Sequence, residues 1–100
     1  MVEAQYRARR AILLHSEDFT AGGSGRKGVF GIISPDGATR YVTQTVVDAA
    51  NSPIWAIVVP DDDGTQPTDT ITWGSLTLSI LKIVERRLRG TVIFKLILAD

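Results

Sequence analysis

The fold class follows from one stretch near the end of the sequence, Thr91-Val92-Ile93-Phe94-Lys95-Leu96-Ile97-Leu98-Ala99. Ile93 and Ile97 flank Lys95 on one face, and the other face carries Val92, Phe94, Leu96 and Leu98. Successive side chains of a β-strand point to opposite faces, so this stretch predicts a strand that is covered on both sides. The charged segment before it, residues 85–90, ends in Gly90 and predicts a turn from a preceding strand.

A second segment, residues 54–59, is also apolar on both faces and reads Ile-Trp-Ala-Ile-Val-Val before Pro60 ends it. A strand in a two-layer sandwich needs only one apolar face. Two strands with two apolar faces therefore lie at the centre of the domain, or their surplus apolar surface meets another subunit.

The remaining patterns supply further strands. A hairpin is predicted over residues 29–46, with the turn Ser34-Pro35-Asp36-Gly37, and a long strand over residues 70–84, with a bulge at Gly74-Ser75. A short helical turn over residues 47–52 and a polar, acidic loop over residues 61–69 connect them. The prediction is an all-β, mainly antiparallel fold, a small sandwich or open barrel of about six strands.

The first part of the chain allows two interpretations. Residues 2–15 contain good helix formers, yet several of their apolar residues share the parity of a strand. The favoured interpretation is a strand from about Arg9, preceded by a flexible N-terminal arm over residues 1–8. Residues 16–28 predict a Gly-rich loop, and the whole chain, residues 1–100, predicts a single β-rich domain.

Composition excludes several functions. The 100 residues are 44% hydrophobic and 22% charged, as in an ordinary globular domain. Eleven basic residues balance eleven acidic ones, whereas a protein that grips nucleic acid is usually clearly basic. The absence of cysteine removes disulfides, thiolate metal sites and thiol nucleophiles. No apolar run has the length of a membrane span or of a signal peptide, so the expectation is no membrane association.

No motif predicts catalysis, a cofactor or a metal. The glycine-rich segment at residues 22–28 lacks the Lys-Ser/Thr ending of a phosphate-binding loop and precedes a strand. Asp61-Asp62-Asp63-Gly64 begins like a calcium loop, but the twelfth position is Thr72 and not glutamate. His15 is the only histidine and lacks metal-site spacing. Whether the loop at Asp61 to Asp63 holds a cation stays open.

The surplus apolar surface predicts a protein interface. The candidate interface residues are Tyr6, Ile54, Trp55, Ile57, Ile93 and Ile97. In this hypothesis the N-terminal arm adds itself to the sheet edge of a neighbouring subunit.

One basic patch is predicted on the last hairpin, consisting of Lys82, Arg86, Arg87 and Arg89. The favoured interpretation is that these cations pair with the acidic loop, within the molecule or on a neighbour. The alternative is a small β-barrel that binds single-stranded nucleic acid, with this patch on the phosphates and aromatic side chains stacked on the bases.

The general features of the chain resemble those of the small head-decoration, or cement, proteins of tailed phages. They are a short chain without cysteine, a loose arm at residues 1–7, a glycine-rich loop at residues 22–25, and connections rich in Thr, Asp and Gly. The resemblance implies binding to a capsid shell as an oligomer, and it assigns no role to any single residue.

The expected function is that of a non-enzymatic structural protein that decorates or stabilises a virion capsid through oligomeric β contacts. Its expected partners are other protein subunits, both copies of itself and a larger shell. The expected location is the virion where the resemblance holds and the cytoplasm otherwise.

Overall fold

A computed structural model describes residues 3–50 and 53–100, and these residues form three helices and six strands. The elements in chain order are α1 (Glu3–His15), β1 (Glu17–Ala21), β2 (Ser24–Ile33), α2 (Pro35–Ala38), α3 (Gln44–Ala49), β3 (Ile54–Pro60), β4 (Thr70–Trp73), β5 (Leu76–Leu88) and β6 (Thr91–Ala99).

The strands form a closed antiparallel barrel in the order β1-β2-β3-β6-β5-β4. The ring closes where β4 meets β1, through only two residue pairs, Thr20–Thr72 and Ala21–Ile71. The predicted mainly antiparallel fold of about six strands is confirmed. Of the two predicted architectures the barrel is found, and the β1–β4 contact closes it.

The buried apolar side chains of the barrel core come from every strand except β2, which adds the half-buried Phe30 and whose Gly28 leaves room for its neighbours. The core cluster consists of Phe19, Ala21, Ile57, Val59, Ile71, Leu78, Ile97 and Ala99. Strand β3 pairs with β2 on one side and β6 on the other, so its predicted central position is confirmed.

Three aromatic rings close one end of this core. The Phe30 and Trp73 rings are stacked with centroids 4.1 Å apart, and the Trp55 ring meets Trp73 edge to face at 5.0 Å. Trp55 and Trp73 are thus partly buried and pack against the core.

The predicted N-terminal arm and the strand from Arg9 are wrong, because residues 3–15 form helix α1. Its alanine, arginine, glutamine and leucine residues favour helix, and an ion pair of 2.8 Å joins Glu3 to Arg7 one turn later. Helix α1 contacts β2, β3 and β6, and its Ile12 is buried. Since the barrel interior is filled, α1 lies on the outer surface of these strands.

The predicted loop over residues 16–28 is also wrong. Strand β1 and the first half of β2 occupy it and pair from Glu17–Gly28 to Ala21–Ser24. Gly22 and Gly23, with φ of 62° and 78°, form the tight turn that joins the two strands. Both turn positions need a positive φ, which glycine adopts without steric cost, so the glycines mark a hairpin turn and not a loose segment.

The predicted hairpin over residues 29–46 is wrong in its second half. The Ser34 hydroxyl accepts a hydrogen bond from the Gly37 amide at 3.1 Å and caps α2, and the Thr43 hydroxyl likewise caps α3 by accepting from Val46. These caps favour helical turns over a return strand, so β2 pairs with β3 instead. The short helix predicted at residues 47–52 is found as α3, shifted earlier, and Asn51 and Ser52 lie outside the described residues.

The predicted long strand over residues 70–84 is two strands. Gly74, with φ of 59°, turns the chain back so that β4 pairs with the start of β5. The irregularity expected at Gly74 lies instead between Ile80 and Lys82. The final hairpin of β5 and β6 is confirmed, but its strands run up to a turn of only Arg89 and Gly90.

Candidate interaction surfaces

A buried carboxylate fixes α1 to the barrel. Asp61, only 8% exposed, accepts two hydrogen bonds from the Arg9 guanidinium, from Nε at 2.6 Å and from Nη2 at 2.9 Å. The Gln5 amide donates to Asp61 at 3.1 Å and to the Val92 carbonyl at 2.9 Å. A bidentate pair of this kind holds both side chains in one geometry, so α1 has a defined position on the barrel.

The hydrogen bonds from Arg9 lower the pKa of Asp61 below its ordinary value, because they stabilise the ionised carboxylate more than burial opposes it. The same contact raises the already high pKa of Arg9. Both groups are therefore charged at neutral pH, and the tie between α1 and the loop after β3 is an ion pair.

The outer side of α1 exposes three large apolar side chains among the charged residues Glu3, Arg7 and Arg10. Tyr6, Leu13 and Leu14 are 55%, 54% and 72% exposed, and together with Arg9 and Arg10 they line a shallow depression along the helix. Most exposed faces of soluble helices are polar. This surface, Tyr6, Arg10, Leu13 and Leu14, is called the outer face of α1 below.

The predicted interface residues differ in their burial and position. Ile54, Ile57 and Ile97 are buried within the chain, so their assignment to an interface is wrong. The barrel curvature turns Ile57 and Ile97 inward, where they pack in the core. Trp55 packs against the core as described, and Ile93 is half-buried on β6. Tyr6 is exposed, but it lies on α1 and not on an arm.

Comparison with protein-family models, with curated proteins and with solved structures found no match. Among residues 3–50 and 53–100, no helix has the length and apolar content needed to cross a membrane.

The acidic loop after β3 is neutralised by arginines within the molecule. Asp61 binds Arg9, and Asp63 lies 3.7 Å from Arg26 while its other oxygen accepts from the Thr65 amide. The Asp63 carbonyl accepts a hydrogen bond from Lys95 at 2.8 Å. In the described part of the chain no three histidine, aspartate or glutamate side chains are arranged to hold a metal ion. The side chains of Asp61 and Asp63 thus stabilise the fold through these contacts.

The predicted basic patch is spread along β5 rather than clustered. Lys82 lies beside residues 39–43, whereas Arg86, Arg87 and Arg89 lie at the tip of the β5–β6 hairpin. Seven residues of extended chain separate Lys82 from Arg89, about 23 Å. Arg87 pairs with Glu85 on its own strand, and it also donates to the Gly90 carbonyl at 3.1 Å.

The predicted pairing of this patch with the acidic loop is not found within the molecule, because that loop is paired with Arg9 and Arg26. Among the described residues, Lys82, Arg86 and Arg89 have no carboxylate within 4.0 Å. Three cations on one hairpin are thus left without an internal counter-charge.

One edge of β5 is open. Strand β4 covers that edge only as far as the pair Thr70–Ser79, and residues 80–88 pair with β6 alone. No backbone hydrogen bond from the other described residues reaches residues 80–88 on this side. The end of the hairpin also extends past β3, whose last pair with β6 is Pro60–Phe94.

Sequence reasoning found Tyr6 and the cations of β5 but missed Leu13, Leu14 and the open edge. Tyr6, Arg10, Leu13 and Leu14 follow the four-, three- and one-residue steps of a single helical stripe, and that spacing was a signal for an amphipathic helix. The open edge had no comparable signal, because it depends on β4 ending after four residues.

Proposed function

We propose that this chain is a non-enzymatic structural protein that binds other protein subunits, and that decoration of a virion capsid is the specific form of this role. The observation that carries the proposal is the outer face of α1, on which three large apolar side chains are more than half exposed. Covering exposed apolar side chains with a partner gains free energy, roughly 25 cal/mol for each Å² of apolar surface removed from water.

The rigid attachment of α1 supports this role. An interface helix that is held by the Arg9–Asp61 pair does not have to be ordered at the moment of binding. Less conformational entropy is then lost on association, which favours the complex. The proposed partners are copies of the chain and the subunits of a larger shell, and the proposed location is the virion.

The alternative, binding of single-stranded nucleic acid by the basic turn, is supported less well. It needs aromatic side chains next to the arginines, on which bases can stack. Phe94, which pairs with Arg86, is half-buried, and Trp55 pairs with Ala99 at one end of β6, whereas the arginine-rich turn precedes Thr91 at the other end. Eight residues of strand separate the two positions, about 26 Å.

The test of assembly is sedimentation velocity of the whole chain and of Leu13→Glu and Leu14→Glu variants over a range of concentrations. We expect the unmodified chain to form a defined oligomer and the glutamate variants to sediment as monomers. The matched control is Leu88→Glu, an equally exposed leucine at the hairpin tip, which should assemble normally. A compact monomer at every concentration, with no affinity for any shell, contradicts the proposal.

The capsid form of the proposal has its own test. Purified virus particles from the source of the chain should contain it in a fixed ratio to the major shell subunit, as measured by quantitative mass spectrometry. Particles without the chain rule out the capsid role and leave assembly through α1 standing.

A further inference from the structure

We propose that the open edge of β5, residues 80–88, binds an extended acidic segment of another protein as an added β-strand. This proposal rests on the proposed function, since it names the chemistry of a second partner, but it concerns a different surface from the outer face of α1. An exposed edge with unpaired backbone N–H and C=O groups is the surface to which extended peptides add in β-augmentation.

The edge has the length that strand addition requires. It extends over nine residues, of which eight pair with β6 alone, and Leu81 lies in the irregularity between Ile80 and Lys82. The side chains of Ile80, Leu81, Ile83 and Val84 are half-buried, whereas the residues from Glu85 to Leu88 are exposed. An added strand therefore finds backbone partners along the whole edge and apolar contacts along its first half.

The charge of the edge selects the partner. Lys82 and Arg86 have no counter-ion among the described residues, and Arg87 forms an ion pair with Glu85 on the same strand. Cross-strand neighbours of opposite charge stabilise a sheet and like charges destabilise it. A segment that carries aspartate or glutamate opposite these cations forms favourable cross-strand ion pairs, whereas a basic segment is repelled.

The same cations act against pairing with a second copy of the chain. An antiparallel pair of two β5 edges centred on Val84 places Lys82 of each copy opposite Arg86 of the other. A pair centred on Glu85 places that residue opposite its own copy, whereas a pair centred on Arg86 also places Glu85 of each copy opposite Arg87 of the other. Native proteins use such charges to keep exposed edges from joining to one another. The cations thus disfavour some registers of pairing with a second copy, and they favour an acidic partner.

The turn at the end of the hairpin extends the basic surface. Arg89 occupies a left-handed conformation, with φ of 52°, that favours glycine or asparagine. Arg87 donates to the Gly90 carbonyl and holds this turn together. The turn therefore presents the Arg89 cation beyond the end of the edge, where an acidic segment leaving β5 would meet it.

The test is fluorescence polarisation with a short labelled peptide in which glutamate alternates with valine. We expect saturable binding that weakens with added salt and that is lost when lysine replaces the glutamates. A peptide of the same sequence, N-methylated at every second residue, is the decisive probe because it keeps its charge but loses the N–H donors of one edge. It should bind at least about tenfold more weakly, since several backbone hydrogen bonds are lost.

The double variant Lys82→Glu and Arg86→Glu should also weaken peptide binding by about tenfold, because repulsion replaces two exposed ion pairs. The control is Lys27→Glu on the β1–β2 hairpin, an exposed cation outside both proposed surfaces, which should leave peptide binding unchanged. Equal binding of the methylated peptide, or equally tight binding of a single-stranded oligonucleotide, overturns the proposal. Loss of self-assembly in the α1 variants is measured separately, so either proposal can fail while the other stands.

Discussion

Gly28 shows how closely the interior of the barrel is packed at a single residue. A Cβ atom at this position would lie 2.9 Å from Ile57 Cγ2 and 3.1 Å from both Phe19 Cε1 and Val59 Cγ1. Three of the core side chains therefore occupy the space that any other residue would need. The absence of a side chain in the middle of β2 is what allows these side chains to meet.

We expect Gly28→Ala to destabilise the fold by about 1–3 kcal/mol, because the added methyl group overpacks the core. Chemical denaturation monitored by tryptophan fluorescence measures the change. The control is Gly25→Ala on the same strand, where a Cβ atom meets no atom within 4 Å, and stability should hardly change. Equal stability of the two variants would show that the core relaxes around Gly28.

Arg89 is the one non-glycine residue with a positive φ in the described part of the chain, and it gives a second prediction. Arg89 and Gly90 form a two-residue hairpin turn in which both residues have a positive φ, and Asn-Gly is the preferred pair for such a turn. Arg89→Asn should therefore raise the free energy of unfolding by about 1 kcal/mol. Thermal denaturation is the measurement. Arg89→Lys keeps both the charge and the backbone strain and should leave the melting temperature unchanged, and a less stable asparagine variant contradicts the prediction.

At the scale of elements, helix α1 depends on one ion pair. The bond to Arg9 holds the pKa of Asp61 below the value it has in the unfolded chain. The stability from this pair is therefore fully present above about pH 4, the ordinary pKa of aspartate, and is lost as pH falls through the lower pKa of the folded state.

Asp61→Asn should consequently lower the melting temperature at pH 7, and the difference from the unmodified chain should shrink as the pH is lowered from 4 to 2. Circular dichroism over this range provides the measurement. Asp62→Asn serves as the control, since Asp62 is exposed and lies 3.8 Å from Arg9. A difference that does not depend on pH would assign the effect of Asp61 to something other than its charge.

The sequence predicts those elements that local residue patterns determine, such as a strand with two apolar faces or a hairpin with a short turn. Strand β3 and the β5–β6 hairpin belong to this class. Helix α1 was missed because helix formers and strand parity disagree in residues 2–15, and contact with the barrel decides between them. The return strand expected after Ser34 was missed because the hydroxyls of Ser34 and Thr43 cap helical turns.

The candidate site was predicted in part for a related reason. Alternation along β3 and β6 shows which side chains share a face, but it does not show which face is inside. Ile57 and Ile97 were therefore assigned to an interface although they form the core. The cations of the basic patch can be named from the sequence, but their lack of internal partners cannot, because it depends on the pairing of Arg9 and Arg26 with the acidic loop.

At the scale of the whole molecule, the helix explains why two strands are apolar on both faces. The barrel core covers one face of β3 and β6, and α1 packs against the outside of the same strands. Covering this surface within the chain leaves the outer face of α1 exposed, and with it Leu13 and Leu14. The apolar surface available to a partner therefore lies on α1 and not on the outer faces of β3 and β6.

The join between β1 and β4 has a consequence for how the barrel forms. It brings together residues from the first and last thirds of the chain, which carries a large entropy of chain closure, and in return it supplies only two residue pairs. We expect this seam to form last on folding and to open first on unfolding, so that the protein passes through a curved, open sheet of six strands joined by five pairings on its way in and out of the native state.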